Sequence, residues 1–195
     1  IRKLRKLADR HMISKIVKIV PGGATGLDSI YNALQAAREN NTPDAVVLIH
    51  DGVRPCITKE LIDEDLECVE RYGTAVTCTP LYETPVVCTD GRNIDEIPPR
   101  ADFYTAQAPQ CFRLGEVLEA HALMRKDNPG YEGVVDTCSM MKKLGKNVTL
   151  VEGPRGNIKV TTPEDLYTFR AMIQYRETEQ IFGFGTREVS GRLMK

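Results

Sequence analysis

Asp51 and Arg54 stand three residues apart in His50-Asp51-Gly52-Val53-Arg54-Pro55, directly after the apolar run Ala45-Val46-Val47-Leu48-Ile49. A carboxylate at that place can hold a magnesium ion or ribose hydroxyls, because Mg²⁺ takes one or two protein carboxylates and fills its shell with phosphates and water. Capping of the turn before Gly52 is its plain alternative. Arg54 offers a planar fork suited to bidentate phosphate contact, with Pro55 stiffening the backbone behind it; a surface ion pair is the alternative there. Lys159 interrupts a stretch of Asn, Ile, Val and Thr, so its ammonium must emerge at a polar site or a sheet edge. Gly22-Gly23 lets backbone approach a base or phosphate closely, yet without the repeated glycines of a dinucleotide fingerprint a turn explains it equally well. Ser29 either caps the following helix or touches a ligand. His50, closing an apolar strand, reads first as a hydrogen-bonded core residue.

The elements that must position these groups alternate between strand and helix. Residues 3–12 read as a basic amphipathic helix and Lys15–Val20 as an alternating strand ending at Pro21-Gly22-Gly23. Asp28-Ser29 is the expected cap of a helix that carries Ile30, Leu34 and Ala37 at helical spacing. Ala45–His50 is continuously apolar, as in a strand covered on both faces of a parallel sheet. Thr58 caps a helix over 59–71, and Thr74–Thr79 is β-branched and strand-like. Thr84–Val87 and Asn93–Ile97 flank Asp90-Gly91, which predicts a β-hairpin projecting from the sheet. Helices are expected at Leu114–Arg125 and Thr137–Leu144, strands at Val148–Val151 and Asn157–Thr161. Thr162-Pro163 opens a last helix to Tyr175, and residues 176–195 read as a tail. The βαβ alternation argues for a doubly wound sheet whose ligands lie beyond the carboxyl ends of the strands.

Composition narrows the classes. The 195 residues suit one domain, and a formal charge of −1 lacks the basic footprint of a nucleic-acid binder. No apolar run approaches the roughly 18 residues of a membrane span, and no signal peptide opens the sequence, so a cytoplasmic protein is expected. Its six cysteines form no Cys-x-x-Cys pair, which favours reduced, structural thiols over a zinc site or a catalytic thiol.

Pro21-Gly22-Gly23 with Ser29, His50-Asp51-Gly52-Val53-Arg54-Pro55, Gln107-Ala108-Pro109-Gln110-Cys111-Phe112 and Asn157-Ile158-Lys159-Val160-Thr161-Thr162-Pro163-Glu164-Asp165-Leu166 together resemble the 2-C-methyl-D-erythritol 4-phosphate and ribitol-5-phosphate cytidylyltransferases. The four motifs run in register from about residue 15 to 175. The resemblance implies an α/β, Rossmann-like nucleotidyltransferase fold over residues 1–175 with a mostly parallel sheet. It also implies a homodimer formed through a β-arm at about 82–106. The phosphate of a polyol phosphate would attack the α-phosphorus of CTP, giving a CDP-polyol and pyrophosphate with Mg²⁺ assistance. By position, Gly22, Gly23 and Ser29 would meet the nucleotide, and Asp51 would serve ribose, metal or substrate. Arg54, Thr84, Arg100 and Lys159 would hold the polyol phosphate or the reacting phosphates, with Asp51, Arg54 and Lys159 as the catalytic set and Arg100 serving the partner's site.

Asn93–Arg100 with Tyr104, and Val135-Asp136-Thr137-Cys138, look more like the ribitol-phosphate branch, so ribitol 5-phosphate is the favoured acceptor and methylerythritol 4-phosphate the alternative. The family's opening strand, glycine-rich loop and following lysine, which bind the CTP triphosphate, have no counterpart here. The expectation is that they precede Ile1 in a longer natural chain; a non-catalytic, dimerising remnant is the competing reading, and a transferase for another base or sugar phosphate a third. Ala108 replaces the usual Thr of the Thr-Pro-Gln motif and Gly26 a common Arg, each removing one ligand contact.

Overall fold

In the computed structural model, which describes residues 1–182, the chain divides into two compact units. The first comprises Ile1–His50 and Thr58–Gly153, the second Asp51–Ile57 and the chain from Pro154 onward.

In the first unit the order is α1 (Arg2–Arg10), α2 (Gly26–Arg38), β1 (Val46–Ile49), α3 (Lys59–Tyr72), β2 (Thr74–Pro80), β3 (Tyr104–Arg113), α4 (Leu114–Asp127), α5 (Thr137–Lys143) and β4 (Leu150–Glu152). The sheet order is β1-β3-β2-β4. β3 runs antiparallel to both β1 and β2, whereas β2 and β4 are parallel. Three of the four strands therefore point the same way, with β3 reversed among them.

Apolar periodicity builds the core. Leu114, Val117, Leu118, His121 and Met124 line one face of α4 and are buried with Leu27 and Leu34 of α2, Phe112 of β3, and Met140 and Met141 of α5. Fully burying one such Leu or Phe side chain contributes roughly 1.5–3 kcal/mol. Thr58 accepts from the Leu61 amide and caps α3 as expected.

Several expectations change. Lys15–Val20 is not a strand: none of the described strands pairs with it, and Val17 stays exposed. β1 is an edge strand, half-buried and antiparallel to its neighbour, because its apolar run meets β3 rather than a parallel partner. β3 has no counterpart among the expected strands, since Pro109 and two glutamines mask its strand character. The expected hairpin is reduced to one bridge, Val87 to Glu96. An isolated two-stranded ribbon is marginal on its own, and Asp90 instead folds the tip, accepting from the Arg92 and Asn93 amides at 2.8 Å.

In the second unit Asn157–Thr161 forms no strand. Beside it Asp51–Ile57 bends in a turn closed by the Arg54 amide on the Asp51 carbonyl; the Val160 amide donates to the Val53 carbonyl at 2.8 Å, while the Asn157 amide donates to the Pro154 carbonyl at 3.0 Å and the Thr161 amide to Asp165 Oδ2 at 2.9 Å. α6 (Pro163–Phe182) follows. Thr162 caps it, accepting from the Asp165 amide at 3.3 Å while the Asp165 carboxylate accepts from the Thr162 amide at 2.8 Å. The helix passes Tyr175, so residues 176–182 of the expected tail are helical; the remainder lies outside the described residues.

Candidate active site

Each unit holds one cluster of the predicted residues. In the first, the chain turns at Gly22-Gly23 and enters α2. Thr25, not Asp28 or Ser29, is the N-cap: its side chain accepts from the Asp28 amide, and the Asp28 carboxylate accepts from the Thr25 amide. The Thr-x-x-Asp spacing of a capping box carried that signal in the sequence. Ser29 serves the turn, its Oγ accepting from the Gly23 amide at 3.0 Å and donating to the Thr25 carbonyl at 3.0 Å. Gly23 is required sterically, because a Cβ there would lie 2.1 Å from the Cβ of Asp28. Gly22 and Gly23 are both exposed, leaving their backbone open to a ligand.

In the second unit Asp51, Arg54 and Lys159 converge. Asp51 Oδ2 accepts from Arg54 Nε at 3.0 Å and lies 3.3 Å from Lys159 Nζ. Burial alone would raise the Asp51 pKa; the Arg54 hydrogen bond and the Lys159 charge outweigh it and hold the carboxyl below its usual range. Arg54 is the anchored cation, its side chain 11% exposed and its Nη1 donating to the Asn157 carbonyl at 2.7 Å. Lys159, at 48%, reaches into solvent. One carboxylate thus faces two cations, and the excess positive charge suits a phosphate. Asp51 Oδ1 takes no part in either ion pair.

The remaining predicted residues lie elsewhere in the first unit. Thr84 is exposed in the segment between β2 and β3. Arg100 begins a short 3₁₀ turn, Arg100–Asp102, and donates to the Tyr82 carbonyl at 2.9 Å, tying together the two ends of the arm. His50 is half-buried at the end of β1. Two sequence motifs meet at Gln110: its Nε2 donates to Asp136 Oδ2 at 2.7 Å and its Oε1 accepts from the Cys138 amide at 2.9 Å. Asp136 also caps α5, so this pair fastens β3 to the helix.

All six cysteines are free thiols, four of them buried, and burial raises the pKa of Cys68, Cys111 and Cys138 and takes Cys78 to about 11. Among the described residues no group of three His, Cys, Asp or Glu side chains could by itself hold a metal, and no described helix is long and apolar enough to cross a membrane.

The first unit thus presents an α/β sheet and a glycine turn feeding a capped helix, and the second a carboxylate between two cations. Residues 2–175 match the profile of IspD, 2-C-methyl-D-erythritol 4-phosphate cytidylyltransferase, and the chain belongs to that family. The ribitol-5-phosphate cytidylyltransferase of Streptococcus agalactiae serotype V is 41% identical over 182 residues, 92% of this chain and 74% of the relative. The 2-C-methyl-D-erythritol 4-phosphate cytidylyltransferase of Clostridium botulinum strain Langeland is 37% identical over 160 residues, 82% of this chain and 67% of the relative. Among solved structures, the 2-C-methyl-D-erythritol 4-phosphate cytidylyltransferase of Thermus thermophilus aligns with a TM-score of 0.69 at 32% identity, covering 80% of this chain and 72% of that one.

Proposed function

We propose that the protein transfers CMP from CTP to a polyol phosphate, ribitol 5-phosphate in the first instance, with release of pyrophosphate. A phosphate oxygen of the polyol phosphate bonds to the α-phosphorus of CTP as the bond from that phosphorus to the bridging oxygen of the β-phosphate breaks. Such a transfer asks little of side chains beyond alignment and neutralisation of charge. The observation that carries the reading is Asp51 between Arg54 and Lys159. The carboxylate orients both cations while leaving them a net positive charge, Arg54 from an anchored position and Lys159 from a solvent-facing one. Gly22, Gly23 and Ser29 are the candidates for contact with the nucleotide. Thr84 and Arg100 are further candidates for the polyol phosphate.

Asp51 Oδ1 is one carboxylate oxygen, enough for a Mg²⁺ that takes its other ligands from phosphates and water, and too little to hold the ion alone. When bound there, the ion would neutralise phosphate charge. Val86, Val87, Ile94 and Ile97 are exposed on the arm, which supports a homodimer formed through it. The free thiols support a cytoplasmic location.

Acceptor choice is tested by pyrophosphate release from the full-length natural protein with CTP and either polyol phosphate. A difference of one methyl branch and one carbinol carbon is worth about 1–3 kcal/mol, so kcat/KM should favour ribitol 5-phosphate by about tenfold or more. The reverse order would assign the methylerythritol substrate.

A further inference from the structure

Arg125 lies on α4, 97 residues beyond the turn it reaches, and its Nη1 donates to Asp28 Oδ1 at 2.6 Å. From there every link is a hydrogen bond or a direct contact. Asp28 Oδ2 accepts from the Thr25 amide at 3.2 Å and the Thr25 hydroxyl at 3.0 Å. The Thr25 carbonyl accepts from the Ser29 hydroxyl, and Ser29 Oγ accepts from the Gly23 amide. The Asp28 Cβ also occupies the place a Gly23 side chain would take, so Asp28 cannot move toward Gly23 without displacing its backbone.

Arg125 is itself held. Its guanidinium carbon sits 4.9 Å from the Tyr31 ring centroid and 5.6 Å from that of Tyr131. The Tyr131 hydroxyl pairs with His121 Nδ1 at 2.6 Å, and both of those residues are buried in the core. An ordinary surface ion pair contributes about 0–1 kcal/mol and needs no such seat. Two aromatic faces and a buried histidine behind one arginine fix where its fork points.

We infer that Arg125 is a positioning residue for the nucleotide: through Asp28 it sets the Gly22-Gly23 turn and Ser29 in the geometry that receives CTP. This rests on the reading of that turn as the nucleotide side. Lysine cannot replace the function fully, because a point charge lacks the planar fork and its stacking.

Steady-state kinetics of the full-length natural protein test the inference, with KM measured separately for CTP and for ribitol 5-phosphate. Arg125→Met should raise KM for CTP about tenfold while KM for the polyol phosphate stays within about twofold, and Arg125→Lys should give a smaller rise. Ser29→Ala should also raise KM for CTP, and adding Arg125→Met to it should change KM by less than about twofold, because both act on one turn. Equal rises in both KM values, or single-variant effects that multiply in the double variant, would overturn the role of Arg125. Should Arg125→Met not fold, Arg125→Lys carries the same split and the same reversal. If Ser29→Ala leaves KM for CTP unchanged, the reading of the turn falls, independently of Arg125.

Discussion

The glycine turn before α2 and the Asp51 cluster of the second unit carry opposite kinds of order. Around the turn, polar groups satisfy one another: Thr25, Asp28, Ser29 and Arg125 close a network, and what is offered to a ligand is backbone. Around Asp51 one carboxylate meets two cations, and what is offered is charge. The first arrangement suits recognition of a nucleotide by shape and hydrogen bonds, the second neutralisation of phosphates during transfer. A variant in the turn should therefore act on nucleotide affinity, and one in the charge cluster on rate.

The largest expected effect is on the charge side. Lys159→Met in the full-length natural protein should lower kcat for pyrophosphate release about 100- to 1000-fold, with CTP affinity by calorimetry changed only a few-fold. A loss of CTP affinity as large as the loss of rate would erase the distinction between the clusters.

The two units also place their carboxylates differently, and pH separates them. Asp65 of α3 is fully buried against the Thr77 hydroxyl at 3.0 Å, and burial pushes its pKa up to about 6. The folded state then binds more protons than the unfolded one between about pH 4 and 6, so Asp65 lowers stability as pH rises through that window. The penalty, about 3 kcal/mol from a shift of roughly two pH units, persists above it. Asp65→Asn should raise denaturant stability at pH 8 by up to that amount and change little at pH 4. Asp51, whose pKa is lowered, runs the other way: its contribution is present above the ordinary carboxyl pKa and fades as pH falls through the folded value. Stability profiles of Asp65→Asn and Asp51→Asn that move in the same direction with pH would contradict the contrast.

A glycine from each cluster sharpens it further. Gly23→Ala drives a Cβ into Asp28 and should cost about 1–3 kcal/mol, whereas a Cβ at Gly52 meets nothing within 4 Å, so Gly52→Ala should stay within about 0.5 kcal/mol. Thermal or denaturant unfolding reads both. The smallest effect is on the arm, where the proposed homodimer predicts that Ile94→Glu with Ile97→Glu leaves the melting temperature nearly unchanged while sedimentation shifts from dimer to monomer.

Much of this was legible in the sequence because it depends on local chemistry. Thr58 and Thr162 announced their helices, the spacing in Leu114–Arg125 announced α4, and the register of four motifs announced the family. The errors lie where tertiary partners decide. Lys15–Val20 and Asn157–Thr161 have strand composition, but a strand exists only through a neighbour's ladder. β1 is apolar enough for a covered position yet pairs at an edge. The link from Arg125 to Asp28 spans 97 residues, and no local pattern encodes it. Asp51, Arg54 and Lys159 were each ambiguous alone, and only their distances from one carboxylate oxygen make them a cluster.

Pyrophosphate release with CTP and ribitol 5-phosphate, compared between the full-length natural protein and its Lys159→Met variant, tests the central claim most directly. The prediction is release that depends on both substrates and falls by two to three orders of magnitude in the variant. Absence of release with either polyol phosphate, or release that survives the substitution intact, would contradict it.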